Sequence, residues 1–257
     1  MSEPAAYETV VAAKQVIAGV GGAFMISRYA KAAAVDLGLP GGRLTPYFAG
    51  RCGFLGDVDA DVVTAAVAFF PPSVVRRAWQ ESRSLRSGPD PQRGGLRYAA
   101  ACHEWGRVRL AGWSGAERLA ELGHRIVAEA DVAGLPLFAS WRVVPLPDDA
   151  PARAAQMLHV LREHRGGAHA IAVVASGLTP LESILAGPGG TANAEFFEWT
   201  GPFPDLSGST DLSDRRAACE QLTDRLVAPA YSTLDATERD ELVTLLSEAA
   251  ATAFAPR

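Results

Sequence analysis

Three helix-start signatures of one kind constrain this chain more than any other feature. They are Ser114-x-x-Glu117, Thr179-x-x-Glu182 and Asp235-x-x-Glu238, each directly before an apolar-periodic run. A short polar side chain at the first position can accept from the third helical N–H, and the Glu can reach back to the cap. Ser27, Asp59 and Asp149 stand at similar places before RYAKAAAVDLG, ADVVTAAVAFF and the run that begins at Ala150. Ala, Leu, Arg and Glu dominate the long segments, and all four favour helix. Val and Ile fall mainly in helix-period patterns, with no sustained alternation of the strand type. The expectation is an all-α protein of about ten helices.

Glycine and proline set the expected boundaries. Gly19 with Gly21-Gly22 should end a first helix over 7–19, Gly38 a second, and Pro71-Pro72 the one that opens at Asp59. Segment 86–95, RSGPDPQRGG, reads as a linker by its Pro and Gly content. It suggests two helical halves, 1–90 and 91–257, which one continuous domain could also contain. Segment 135–147 reads as a short buried helix between prolines, and 200–213 as irregular.

Composition excludes several classes. With 257 residues the chain can bury a core without disulfide or metal staples. Cys52, Cys102 and Cys219 lie far apart with no C-x-x-C pair, as expected of reduced, buried thiols. The formal net charge is −5, so no overall basic field is available to hold nucleic acid. No uninterrupted apolar run reaches the roughly 18 residues of a membrane span, and the N-terminal residues lack a signal-peptide pattern. The expected setting is cytoplasmic with no membrane partner, and a homodimer is compatible with the sequence.

Chemistry concentrates in REHRGGAH. On a wheel of roughly 100° per residue, Met157, Leu161, Ala168, Ile171 and Ala175 share an apolar face, with His164 in its middle. Arg162, Arg165 and His169 stack along one flank, and Gln156, His159, Glu163 and Ala170 take the side expected to be wet. Guanidiniums and imidazoles beside a buried face need a carboxylate, a carbonyl or a ligand that supplies one. Asp57, Asp59, Asp61, Asp148 and Asp149 are the protein carboxylates available as partners. A metal centre is not expected: His164 and His169 stand five apart and point different ways, and no H-E-x-x-H is present. A second constellation, Tyr47 to Asp57, places aromatics, Arg51 and three glycines between two helices. It reads as a tight turn or as a pocket wall. P-loop, dinucleotide-binding and nucleophile-elbow motifs do not occur, so no cofactor is identified.

At Leu161–Gly166 with His169, and at Tyr47–Arg51 with Leu55-Gly56, the chain resembles the actinobacterial SalK-like proteins, which are labelled helix-turn-helix proteins. GLPLFA at 134–139 and Thr223-Asp224-x-Leu226 fit the same pattern, and the resemblance spans about residues 7 to 250. It implies a winged-helix-like remnant in the C-terminal half. There the family pattern has a Trp, an Arg- and Leu-rich helix and a wing; here Trp199 is followed only by a short Pro/Gly/Ser stretch to Ser213. The leading expectation is a small-molecule-binding helical protein, with or without catalysis in actinobacterial specialised metabolism. Its site residues would be Tyr47, Arg51, Arg162, His164, Arg165 and His169, its ligand anionic, and DNA would not be its partner. The alternative is a winged-helix transcriptional regulator.

Overall fold

The computed structural model describes residues 3–39, 42–204, 206 and 209–256. Among the described residues it is all-helical: 73% are helical, 14 α-helices occur, 11 of them seven residues or longer, and there is no strand. In chain order the helices are α1 (Glu3–Ala23), α2 (Arg28–Leu37), α3 (Leu44–Arg51), α4 (Ala60–Val67), α5 (Pro72–Glu81), α6 (Arg83–Arg86) and α7 (Arg93–Arg109). They continue with α8 (Ala116–Glu129), α9 (Pro136–Trp141), α10 (Ala150–Ala175), α11 (Pro180–Leu185), α12 (Gly190–Phe196), α13 (Thr210–Tyr231) and α14 (Ala236–Ala253).

Most of the start signals work as chemistry requires. Ser27, Asp59 and Asp149 accept from N–H groups of the first turns of α2, α4 and α10, and both the Thr179–Glu182 and Asp235–Glu238 boxes close reciprocally. The Ser114 box does not form. The chain enters α8 through Gly115, over which the Trp113 ring is packed, and no side chain caps that helix.

The glycines carry the main departures. Helix α1 runs through Gly19, Gly21 and Gly22 instead of ending there. A Cβ at Gly21 would collide with the Leu158 carbonyl oxygen, so this glycine is where α1 crosses α10 at close range. Gly94 and Gly95, read from sequence as linker, lie inside α7, where a Cβ at Gly94 would meet the Ala49 carbonyl of α3 at 2.5 Å. Residues 47–51, expected as a turn, form the second half of α3. Helix α4 stops at Val67, three residues before the expected Phe70. Ala68 then takes a positive φ of 33° and turns Phe69 and Phe70 to different neighbours.

Helix α10 is the axis, packed against α1, α7, α8, α9 and α13. The main core draws on residues from Ala6 to Ala253 and so crosses residue 90. A smaller core joins α3, α4 and α5 to Leu137, and a third joins the end of α10 to the start of α13. The segment Ala5–Ile26 is long and apolar enough to cross a membrane, with mean hydropathy 1.6. Its stripe of Ala6, Val10, Ala13, Ile17, Val20 and Phe24 is buried in the main core, at the spacing of a packed amphipathic helix.

Candidate functional site

The N-terminal two-thirds of α10 has no wet face. Gln156 and His159 are fully buried and Glu163 is 1% exposed, contrary to the wheel, because α1, α3 and α7 cover the side assigned to solvent. Each of these three side chains has at least one polar partner. Gln156 lies 2.6 Å from His103 Nε2 and donates to the Val144 carbonyl at 3.0 Å. Position 159 meets the backbone where glycine lets α1 come close: His159 Nδ1 lies 3.3 Å from the Gly21 carbonyl oxygen.

Glu163 is the residue that sequence reasoning missed. Arg51 donates to both its oxygens, Nε to Oε1 at 2.9 Å and Nη2 to Oε2 at 2.7 Å, in the bidentate geometry that suits guanidinium and carboxylate. Arg51 Nη1 donates to Tyr47 Oη at 2.8 Å, and Arg162 Nη1 to Glu163 Oε1 at 3.0 Å. Burial alone would raise the Glu163 carboxyl, but the charges of Arg51 and Arg162 outweigh it and hold it down at about 2. Trp141 Nε1 donates to the Arg51 carbonyl at 2.8 Å, which anchors the end of α3 to α9. His159 Nε2 lies 3.7 Å from Glu163 Oε1 and has no hydrogen-bond partner; burial keeps this ring neutral, at about 4.

Two residues further along α10, Arg165 forms a second charged node. Arg165 Nη2 donates to Glu220 Oε2 at 2.7 Å and to Asp224 Oδ1 at 3.0 Å, both on α13. Lys14 Nζ reaches Asp224 Oδ2 at 2.6 Å, and Arg216 pairs with Glu220. Burial works against the Glu220 charge, yet Arg165 and Arg216 hold this carboxyl at about 2. His169 Nδ1 lies 2.9 Å from Thr223 Oγ1, and its ring stacks on Phe69 with centroids 5.5 Å apart and planes at 21°. Burial lowers this imidazole to about 4, with Glu220 opposing. None of the five aspartates expected as partners serves either node: Asp57, Asp61 and Asp149 pair with Arg86, Arg76 and Arg107 elsewhere.

Both nodes face one cavity of about 760 Å³. Tyr47, Arg51, Arg162, Glu163, Arg165 and His169 line it together with an apolar wall that includes Phe69, Phe70, Leu137 and Phe138. The positive φ at Ala68 is what sends Phe69 onto His169 while Phe70 packs on Phe48. Of the six sequence-predicted site residues, five therefore converge. His164 does not: it tilts on Phe138 with centroids 4.7 Å apart and lines a separate cavity of about 390 Å³ with Glu129 and Asp131. A residue two positions from Arg162 on a helix points away from it, so the apolar face and the Arg flank serve different spaces.

Arg51 differs in role from the expectation. Each of its three nitrogens donates to Glu163 or Tyr47, so it braces the site. Arg162 uses one N–H on Glu163, and its other donors have no partner among the described residues. Among the described residues, no group of three or more His, Cys, Asp or Glu side chains is placed to hold a metal ion.

No curated protein and no solved structure matches the chain. A family model described as a helix-turn-helix family matches residues 10–256, nearly the whole length. The chain whose central helix carries these two charged nodes belongs to that helix-turn-helix family.

Proposed function

We propose that this protein binds an amphipathic organic anion in the cavity beside α10. One observation carries the reading: Arg162 and Arg165, one helical turn apart, line the same largely apolar cavity, and Arg162 has donors that no acceptor among the described residues takes. The two nodes together hold five cations, Lys14, Arg51, Arg162, Arg165 and Arg216, against the carboxylates Glu163, Glu220 and Asp224. The excess of two positive charges beside the cavity favours a bound anion. A volume of about 760 Å³ lies within the usual range of small-molecule sites. The Tyr-Phe-Ala-x-Arg and Arg-Glu-His-Arg tracts, which carry the SalK-like resemblance, supply the charged wall of this cavity.

The family's helix-turn-helix description brings the DNA-binding alternative with it, and surface charge weighs against that reading. Helices α4 and α5 are joined by a four-residue turn, and α5 exposes Arg76, Arg77 and Gln80. Arg76 is neutralised by Asp61, and Arg86, Arg97 and Arg107 are likewise paired with carboxylates. A further pair of short helices, α11 and α12, contains no Lys or Arg. Neither offers the clustered basic face that phosphate contacts need.

Isothermal titration of the purified protein with decanoate, decanol and decylamine tests the proposal. Decanoate should bind, decanol should bind at least tenfold more weakly, and decylamine should not bind. Equal binding of all three, or of none, would overturn the anion reading.

A further inference from the structure

The hydrogen bonds around His169 say more about the ligand. Thr223 Oγ1 donates its only proton to the Cys219 carbonyl, 2.8 Å away on the preceding turn of α13. Its oxygen can therefore only accept from His169 Nδ1 at 2.9 Å, so Nδ1 carries the ring proton. The ring is neutral, held so by its burial and by Arg216 and Arg165 against the opposing charges of Glu220 and Asp224. A neutral imidazole protonated at Nδ1 presents a bare lone pair at Nε2. Among the described residues Nε2 has no hydrogen-bond partner; Phe69 covers a ring face and brings no donor, and the Cys219 thiol lies 3.9 Å from Nδ1, on the other nitrogen. The side chain is 15% exposed and lines the same cavity as Arg162 and Arg165.

We infer that His169 is a specificity-determining hydrogen-bond acceptor, and that the cavity selects apolar carboxylates bearing a hydroxyl or N–H donor close to the acid group. This inference rests on the anion reading above. The spacing supports it: His169 follows Arg165 by four residues, so the two side chains project from neighbouring turns of one helix face, about 6 Å apart at their bases. An acid held by the arginines then places its second or third carbon near the imidazole. A carboxylate without the donor leaves Nε2 desolvated and unpaired, a penalty that an unadorned chain cannot offset.

The test compares decanoate with 3-hydroxydecanoate by titration calorimetry, alongside nitrogen-15 NMR of the imidazoles, with His169 assigned by through-space contacts of its ring protons with the stacked Phe69 ring. The wild type should prefer the hydroxy acid by about fivefold to tenfold. His169→Phe should lose that preference, the ratio of the two affinities falling to about one. Thr223→Val, which frees the ring to exchange tautomers, should reduce the preference. The NMR signals should be pyrrole-type at Nδ1 and pyridine-type at Nε2 without any ligand, which holds the inference open to refutation even if His169→Phe fails to fold. Equal affinities for the two acids in the wild type, or a protonated Nε2, would overturn this inference while decanoate binding left the anion reading standing. Binding of neither acid would overturn both.

Discussion

The two charged nodes of α10 centre on residues two positions apart, Glu163 and Arg165, and are built on opposite principles. Around Glu163 the carboxylate is 1% exposed, and both oxygens are taken by Arg51 and Arg162. Around Arg165 the cation is 18% exposed and shares Glu220 and Asp224 with Arg216 and Lys14. The first is an internal strut that ties α3 to α10. The second is a redundant network that ties α10 to α13 and α1 and opens toward the cavity. A buried ion pair with one acceptor and no substitute holds the fold; a branched, half-open one can exchange a partner for a ligand without collapse.

Removing the unique member of the closed node should have the largest effect. Glu163→Gln leaves Arg51 charged, 10% exposed and without its counter-ion. The expected loss is roughly 3–5 kcal/mol of stability in chemical denaturation. Arg51→Met should lose a similar amount, and the Arg51→Met/Glu163→Met double variant should recover much of it, since two apolar groups replace two matched charges. Losses below about 1 kcal/mol for both single variants would show that the closed node is not a strut.

Arg165→Met breaks the open node and should cost less, about 2 kcal/mol, because Asp224 keeps Lys14 and Glu220 keeps Arg216. The same variant should lose decanoate binding. A loss as large as that of Glu163→Gln, with binding retained, would erase the distinction between the two nodes.

Acid should act on both nodes through their imidazoles. Burial lowers His159 beside the closed node and His169 in the open one to about 4, from an ordinary value near 6.5. A group depressed in the folded state binds its proton more readily when unfolded, so its contribution is complete above about pH 6.5 and is lost as pH falls toward 4. Each such imidazole contributes a slope of about 1.4 kcal/mol per pH unit inside that window. Denaturation series between pH 7 and pH 4 should show His159→Phe with a shallower slope than the wild type. For His169 the slope should shrink when decanoate is bound, because the anion favours the protonated ring. An unchanged slope in His159→Phe would refute the neutral buried state.

How much of this was legible in the sequence depends on which force decides each feature. The helical class was readable because caps and periodicity are local: Asp149, Thr179 and Asp235 act within four residues of themselves. The gathering of Arg162, Arg165 and His169 was readable because helix geometry alone puts them on one flank. Glu163 was misplaced because a wheel assumes one wet side, and whether α10 has one depends on where α1, α3 and α7 pack. The same blindness turned Gly21 and Gly94 into helix breakers. Each is a crossing point whose meaning lies in a backbone more than 40 positions away, Leu158 for one and Ala49 for the other.

The smallest expected effect comes from the glycine pair that follows Arg165. A Cβ at Gly167 would meet Leu135 Cδ2 at 2.7 Å, whereas a Cβ at Gly166 would meet nothing within 4 Å. Both residues line the cavity. Gly166→Ala should therefore stabilise the free protein by about 0.5–1 kcal/mol, through helix propensity alone. Gly167→Ala should lose that gain or reverse it, because Leu135 is 7% exposed and has little room to move. Ligand binding separates the two further. If the acid lies along α10 between Arg162 and His169, it passes over Gly166, and the added methyl should weaken decanoate binding while raising the melting temperature. A variant that gained stability and kept full affinity would move the ligand off this stretch of helix, toward the aromatic wall formed by Phe69 and Phe70.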